Sequence, residues 1–263
     1  MKLAVTGKGG VGKTTFVALL SSVLRRKGQK ILLIDADPDM NLATVIGIPH
    51  DKKITPIVEL KEIIAERTGV EPGKPAPLFK MNPKVDDIPD TYCVEHSGMK
   101  LIVMGTIRKG GGGCACPENA FLKSLLSYLV VARDEWVILD MEAGIEHLGR
   151  GTAIGVDHMI VVVEPNSTSI ETASRIRRLA GELGIKSVHI VGNNVESDRD
   201  IDFIRERVDD VNILGFIMSS ESVRGMSRGT ISFLEVDESS LVQVEKIVDG
   251  LKEIPVGSTV HYH

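Results

Sequence analysis

Nine residues limit the choices open to this chain more than anything else in it. Gly7-Lys8-Gly9-Gly10-Val11-Gly12-Lys13-Thr14-Thr15 follows an aliphatic run, Lys2-Leu3-Ala4-Val5-Thr6, and precedes a stretch of helical periodicity. Glycine at this density suits neither a strand nor a helix interior. Between the two, it lets backbone N–H groups converge on an anion, and the helix start adds the positive end of its dipole. Lys13 is placed to neutralise phosphate charge and the Thr14 hydroxyl to ligate Mg²⁺. Gly9, Gly10, Val11, Gly12, Lys13, Thr14 and Thr15 are therefore the expected nucleotide-binding residues.

The rest of the chain alternates short apolar runs with helical patterns. Strands are expected over residues 2–6, 30–34, 100–105, 136–140, 158–163, 187–192 and 212–217. Helices are expected over 14–27, 55–67, 117–132, 168–183 and 239–252, the second with Thr55 as N-cap and Pro56 in its first turn. Runs such as Val137-Ile138-Leu139 and Ile160-Val161-Val162-Val163 are apolar on both faces, which a parallel sheet requires. The expected fold is α/β: a doubly wound, mostly parallel sheet with helices on both faces. Five prolines between 71 and 90 read as an irregular loop inside one domain spanning 1–263.

Bulk properties remove several classes of function. Net charge is −5, which gives no general attraction to nucleic acid. No long apolar segment follows Met1-Lys2, so no secretory leader or membrane span is expected. Three cysteines form no disulfide framework; a reducing, cytoplasmic setting is the simpler expectation.

Two acidic stations accompany the glycine loop. Asp35 ends the second strand, where it supports Mg²⁺ or the following loop, Ala36-Asp37-Pro38-Asp39. Asp140 ends the apolar strand Trp136-Val137-Ile138-Leu139, the form of a carboxylate held near Mg²⁺. A separate signal is Gly110-Gly111-Gly112-Gly113-Cys114-Ala115-Cys116-Pro117. Two thiols one residue apart can face one soft metal, and a helix start at Pro117 favours their thiolate forms. One pair supplies two ligands, and a two-fold dimer would supply four. Cys93 reads as a small packed residue, His147 as a surface or satisfied histidine, and His261 and His263 as part of a frayed tail.

Lys8-Gly9-Gly10-Val11-Gly12-Lys13-Thr14-Thr15 resembles the deviant Walker A motif of the MinD/ParA/nitrogenase-iron-protein class of ATPases. That resemblance implies that Lys8 reaches the phosphates of the other subunit in an ATP-bound dimer, much as an arginine finger does. It also implies that Asp37 orients the attacking water and that Asn193 recognises adenine. Along nearly the whole chain the sequence is similar to the CooC/AcsF-type nickel-insertion ATPases. The pieces that carry this are Asp37-Pro38-Asp39, Ile54-Thr55-Pro56, Asn82-Pro83-Lys84-Val85, the Cys114-Ala115-Cys116 loop, the stretch from Asp140-Met141-Glu142 to Gly151-Thr152, and Glu164-Pro165-Asn166. The resemblance implies an ATP-switched homodimer that binds nickel at Cys114 and Cys116. Its client would be carbon monoxide dehydrogenase or acetyl-CoA synthase. Four thiolates suit Zn²⁺ equally, so the choice of Ni²⁺ comes from the resemblance alone. MinD/ParA-like positioning and iron–sulfur carriage are the rival readings. The first lacks a basic terminal helix here, and the second lacks its usual cysteine spacing.

Overall fold

The computed structural model describes residues 1–70, 78–105, 117–132, 134–143, 153, 155–208 and 211–255. The chain runs β1 (Lys2–Gly7), α1 (Lys13–Arg26), β2 (Ile31–Asp35), α2 (Leu42–Val45), α3 (Lys61–Thr68), α4 (Ile88–Tyr92), β3 (Val94–His96) and β4 (Met99–Val103). It continues α5 (Pro117–Ala132), β5 (Trp136–Asp140), β6 (His158–Val163), α6 (Ser167–Leu183), β7 (Val188–Val195), α7 (Asp198–Arg207), β8 (Asn212–Met218), α8 (Glu221–Ser227) and α9 (Glu238–Glu253).

Among the described residues the strands form one eight-stranded sheet in the order β3-β4-β2-β5-β1-β6-β7-β8. Every pairing is parallel except β3 with β4. The chain visits the β2/β4 side first, returns through β5, and then crosses β1 to the other side. A crevice opens beyond the carboxyl ends of the strands at such a reversal.

Alternation along each strand builds two cores. Leu3 and Val5 of β1, Leu33 of β2, Ile138 of β5 and Ile160 of β6 face one layer, with Phe16 and Leu20 of α1 and Val244 and Ile247 of α9. Ala4, Leu32, Leu139 and Val161 face the other, with Phe121 and Leu125 of α5 and Ile176 of α6. Successive side chains of a strand point to opposite faces, so strands apolar at every position need cover on both. All of these side chains are fully buried.

Three local expectations need correction. The helix expected over 55–67 is a 3₁₀ turn, Ile57–Glu59, followed by α3. Pro56 has φ −57° and ψ 141°, an extended conformation that does not begin an α-helix. The proline-rich stretch ends in α4, with Pro89 in its first turn, where proline lacks no hydrogen bond the helix needs. The edge strand β3 was not expected. Among the described residues no helix is long and apolar enough to cross a membrane.

Candidate nucleotide and cation site

The glycine loop leaves β1 at Gly7 and enters α1 at Lys13. Gly7 lies so close to β6 that a Cβ there would sit 2.4 Å from the Val162 carbonyl oxygen. Gly12 caps α1 with φ 84°, and its carbonyl accepts the Phe16 N–H at 2.8 Å. A side chain at Gly7 would collide with backbone, and one at Gly12 would be strained and displace Asn193, which favours glycine at both ends of the loop.

Around it the structure brings together residues far apart in sequence. The Thr14 hydroxyl donates to Asp140 Oδ2 at 2.7 Å. Asp140 Oδ1 is buried and has no hydrogen-bond partner among the described residues. Lys13 Nζ lies 3.5 Å from Asp37 Oδ2, with both side chains largely buried. Burial pushes the Asp140 carboxyl up to about 6, against the pull of the Thr14 hydrogen bond and the Lys13 charge. Burial, and then the neighbouring Asp140, push the Asp35 carboxyl up to about 7. A hydroxyl and a carboxylate with one orphaned oxygen form the hard-oxygen donor set that Mg²⁺ takes. The residues therefore fit the ion, which Thr14 and Asp140 would hold. When bound, it would neutralise charge on the phosphate oxygens.

Asp35 has another role in this arrangement. It is fully buried, and its oxygens accept the backbone N–H groups of Asp37 at 3.2 Å and Leu42 at 3.1 Å. It braces the loop that presents Asp37. Of the two roles expected for Asp35, the geometry favours the loop over the ion. Asp37 in turn accepts the Asp39 N–H at 3.1 Å.

Lys8 is half-buried, and its ammonium donates to the Thr168 hydroxyl at 2.7 Å. Thr168 donates to Asn166, the N-cap of α6. Asn193 is buried, and its amide nitrogen donates to the Val11 carbonyl at 2.8 Å, so it secures the loop itself. It also faces a pocket shared by Gly10, Gly12, Glu164, Met218 and Arg224. Ser220, which caps α8, forms part of the same wall and donates to Asp237 at 2.9 Å. Glu164 and Arg224 received no role from the sequence, because only the sheet order brings them to the glycine loop.

Cys114, Cys116, His147, His261 and His263 lie outside the described residues. Cys93 is half-buried against the second core. Among the described residues, no group of three or more His, Cys, Asp or Glu side chains is arranged to hold a metal ion.

The sequence profile of the CobQ/CobB/MinD/ParA nucleotide binding domain matches residues 2–232. The chain belongs to this family. Within the MinD/ParA family, it is 41% identical over 255 residues to the carbon monoxide dehydrogenase accessory protein CooC of Rhodospirillum rubrum, covering 96% of this chain and 97% of that one. It is 42% identical over 250 residues to an uncharacterized ATP-binding protein of Methanocaldococcus jannaschii, covering 94% and 96%. The fold also resembles the MinC:MinD cell division protein complex of Aquifex aeolicus, with a TM-score of 0.69 at 19% identity over 99% of both chains. A doubly wound MinD/ParA fold and a nucleotide-binding loop are thus properties of this chain.

Proposed function

We propose that the 263 residues act as one cytoplasmic ATPase domain that dimerises on ATP and carries nickel for insertion into carbon monoxide dehydrogenase or acetyl-CoA synthase. The observation that carries the ATPase part is the meeting of Thr14, Asp140, Lys13 and Asp37 beside the glycine loop. The metallochaperone part draws on the end-to-end likeness to the CooC accessory protein and on the Cys114-Ala115-Cys116 sequence.

ATP lies with its β- and γ-phosphates in the loop from Gly9 to Thr15. Lys13 turns from Asp37 to the phosphates, which hold more negative charge than one carboxylate. Asp37, braced by Asp35, is then free to accept a hydrogen bond from the attacking water. That water adds to the γ-phosphorus as the bond to ADP breaks. Lys8 leaves Thr168 and reaches the phosphates of the second subunit, where a cation stabilises the charge of the transition state. The same closure brings two Cys114/Cys116 pairs together as a four-thiolate nickel site, and hydrolysis loosens it.

Mass measurement and metal analysis of the apo, ADP and ATP forms test this reading. The expected result is a monomer without ATP, a dimer with ATP and Mg²⁺, and one Ni²⁺ per dimer. A chain that hydrolyses ATP but stays monomeric, or a dimer that holds no divalent metal, would refute the carrier role.

A further inference from the structure

The pocket beside the glycine loop follows the strand order. The loop leaves β1, Glu164 follows β6, Asn193 and Asn194 lie in β7, and Met218, Ser219 and Ser220 stand at the end of β8. Since β1, β6, β7 and β8 are consecutive in the sheet, the pocket crosses their carboxyl ends in that order. With strands about 4.8 Å apart, β6 stands about 5 Å from β1, β7 about 10 Å and β8 about 14 Å. A nucleotide with its phosphates over β1 therefore lays its sugar toward β6 and β7. Its base lies beyond, between β7 and the wall formed by Met218, Val223 and Arg224.

Among the described residues, Glu164 is the acidic one lining this pocket, and it is held in place. Its backbone N–H donates to Ser169 Oγ at 3.1 Å. Its two carboxylate oxygens each accept one side-chain amide: Oε2 from Asn166 and Oε1 from Asn194, both at 3.4 Å. Asn194 adopts φ 56°, an uncommon conformation for a residue with a side chain, in making this contact. A carboxylate has about four lone-pair sites. The two amides occupy one on each oxygen and leave one on each. Two acceptors on neighbouring atoms match a pair of vicinal hydroxyls, as when an acidic residue binds the ribose of a dinucleotide. A carboxylate set against phosphates alone would repel them, so this placement makes sense where the ligand presents hydroxyl donors.

We infer that Glu164 reads the ribose of the bound nucleotide, its carboxylate accepting both the 2′- and 3′-hydroxyls and selecting ribonucleotides over deoxyribonucleotides. This inference rests on the nucleotide reading of the site given above. The two claims separate in one calorimetric experiment with Mg²⁺ and ATP, 2′-deoxy-ATP, 3′-deoxy-ATP or GTP, on the wild-type chain and on Glu164→Gln and Glu164→Ala.

A hydrogen bond to a charged group sets the expected scale. Loss of either hydroxyl weakens binding to the wild type by about tenfold or more. Glu164→Ala binds ATP and the two deoxy forms within about threefold of one another, and Glu164→Gln falls between. Equal wild-type affinity for ATP and both deoxy forms would overturn the inference, as would a full ribose preference surviving in Glu164→Ala. If Glu164→Ala instead changes the preference between ATP and GTP, the carboxylate reads a base edge and the ribose assignment fails. A wild-type chain that binds 2′-deoxy-ATP poorly needs no variant to support the first half of the claim. Failure of ATP itself to bind would overturn the nucleotide reading along with this one.

Discussion

Replacing Gly12 by alanine isolates one contact that locks the nucleotide loop. A Cβ at Gly12 would lie 2.3 Å from Asn193 Nδ2, and that nitrogen donates to the Val11 carbonyl at 2.8 Å. Two costs arise. Alanine at φ 84° pays about 1–2 kcal/mol for the left-handed conformation. The Asn193 amide must also swing away, which strands a carbonyl in a buried setting for about 1–3 kcal/mol more. Gly12→Ala is expected to lose about 2–5 kcal/mol in urea unfolding, read as a fall in midpoint at constant slope. In an Asn193→Ala background the clash is gone, so the same substitution loses only about 1–2 kcal/mol. The coupling between the two sites is therefore about 1–3 kcal/mol. Equal losses in both backgrounds would show that Asn193 does not clamp the loop.

Further outcomes follow from other parts of the molecule. Lys8→Ala is expected to abolish the ATP-dependent shift from monomer to dimer in sedimentation; a mutant that dimerises as the wild type does would remove the trans-lysine argument. Cys114→Ser or Cys116→Ser is expected to lose the divalent ion found by metal analysis while ATP binding persists. The His158 and His189 rings lie 3.2 Å apart at Nδ1 and Nε2, buried with the Ser187 hydroxyl between them. Burial, then the His158 neighbour, pushes His189 down to about 4, and burial also lowers His158. A histidine whose folded pKa is depressed is neutral in the fold but protonated in the unfolded chain once pH falls below about 6.5. Stability is thus lost as pH drops from about 6.5 toward 4, on the order of 1–2 kcal/mol between pH 7 and pH 5. Urea titrations at those two pH values should show the loss in the wild type and a smaller one in His189→Gln.

Local signals were the legible ones. Phe16, Leu19, Leu20, Val23 and Leu24 mark α1 because one helical face needs them, and α5 begins at Pro117 as its sequence indicates. Pro56 misled because a proline before a helical pattern can also sit in extended backbone. Edge strand β3 has three residues, one of them exposed, too few for any periodicity to show. Helix α7 carried a readable capping box, Ser197 with Asp200, which lay outside the apolar patterns that set the other elements. At the site, the glycine loop could be read because its meaning is contained in consecutive residues. The bond from Asn193 to Val11 spans 182 positions, and the arrival of Glu164 and Arg224 in one pocket depends on strand order. No window along the chain contains that information.

Strand order also governs how the two ends of the proposed cycle can communicate. In the chain the cysteine segment follows β4 and precedes α5, while the phosphate loop follows β1 at the same end of the sheet. Only β2 and β5 stand between them, and these strands end in Asp35 and Asp140. Asp35 grips the Asp37 loop through its side chain, and its carbonyl accepts the Met104 N–H at 2.8 Å, one residue before Gly105. In the proposed cycle, a shift that begins with loss of the terminal phosphate would have a two-strand path to β4, the strand that precedes the cysteine segment. The two strands that lead into these segments, β4 and β1, stand about 14 Å apart, linked by the continuous parallel ladder of β2 and β5.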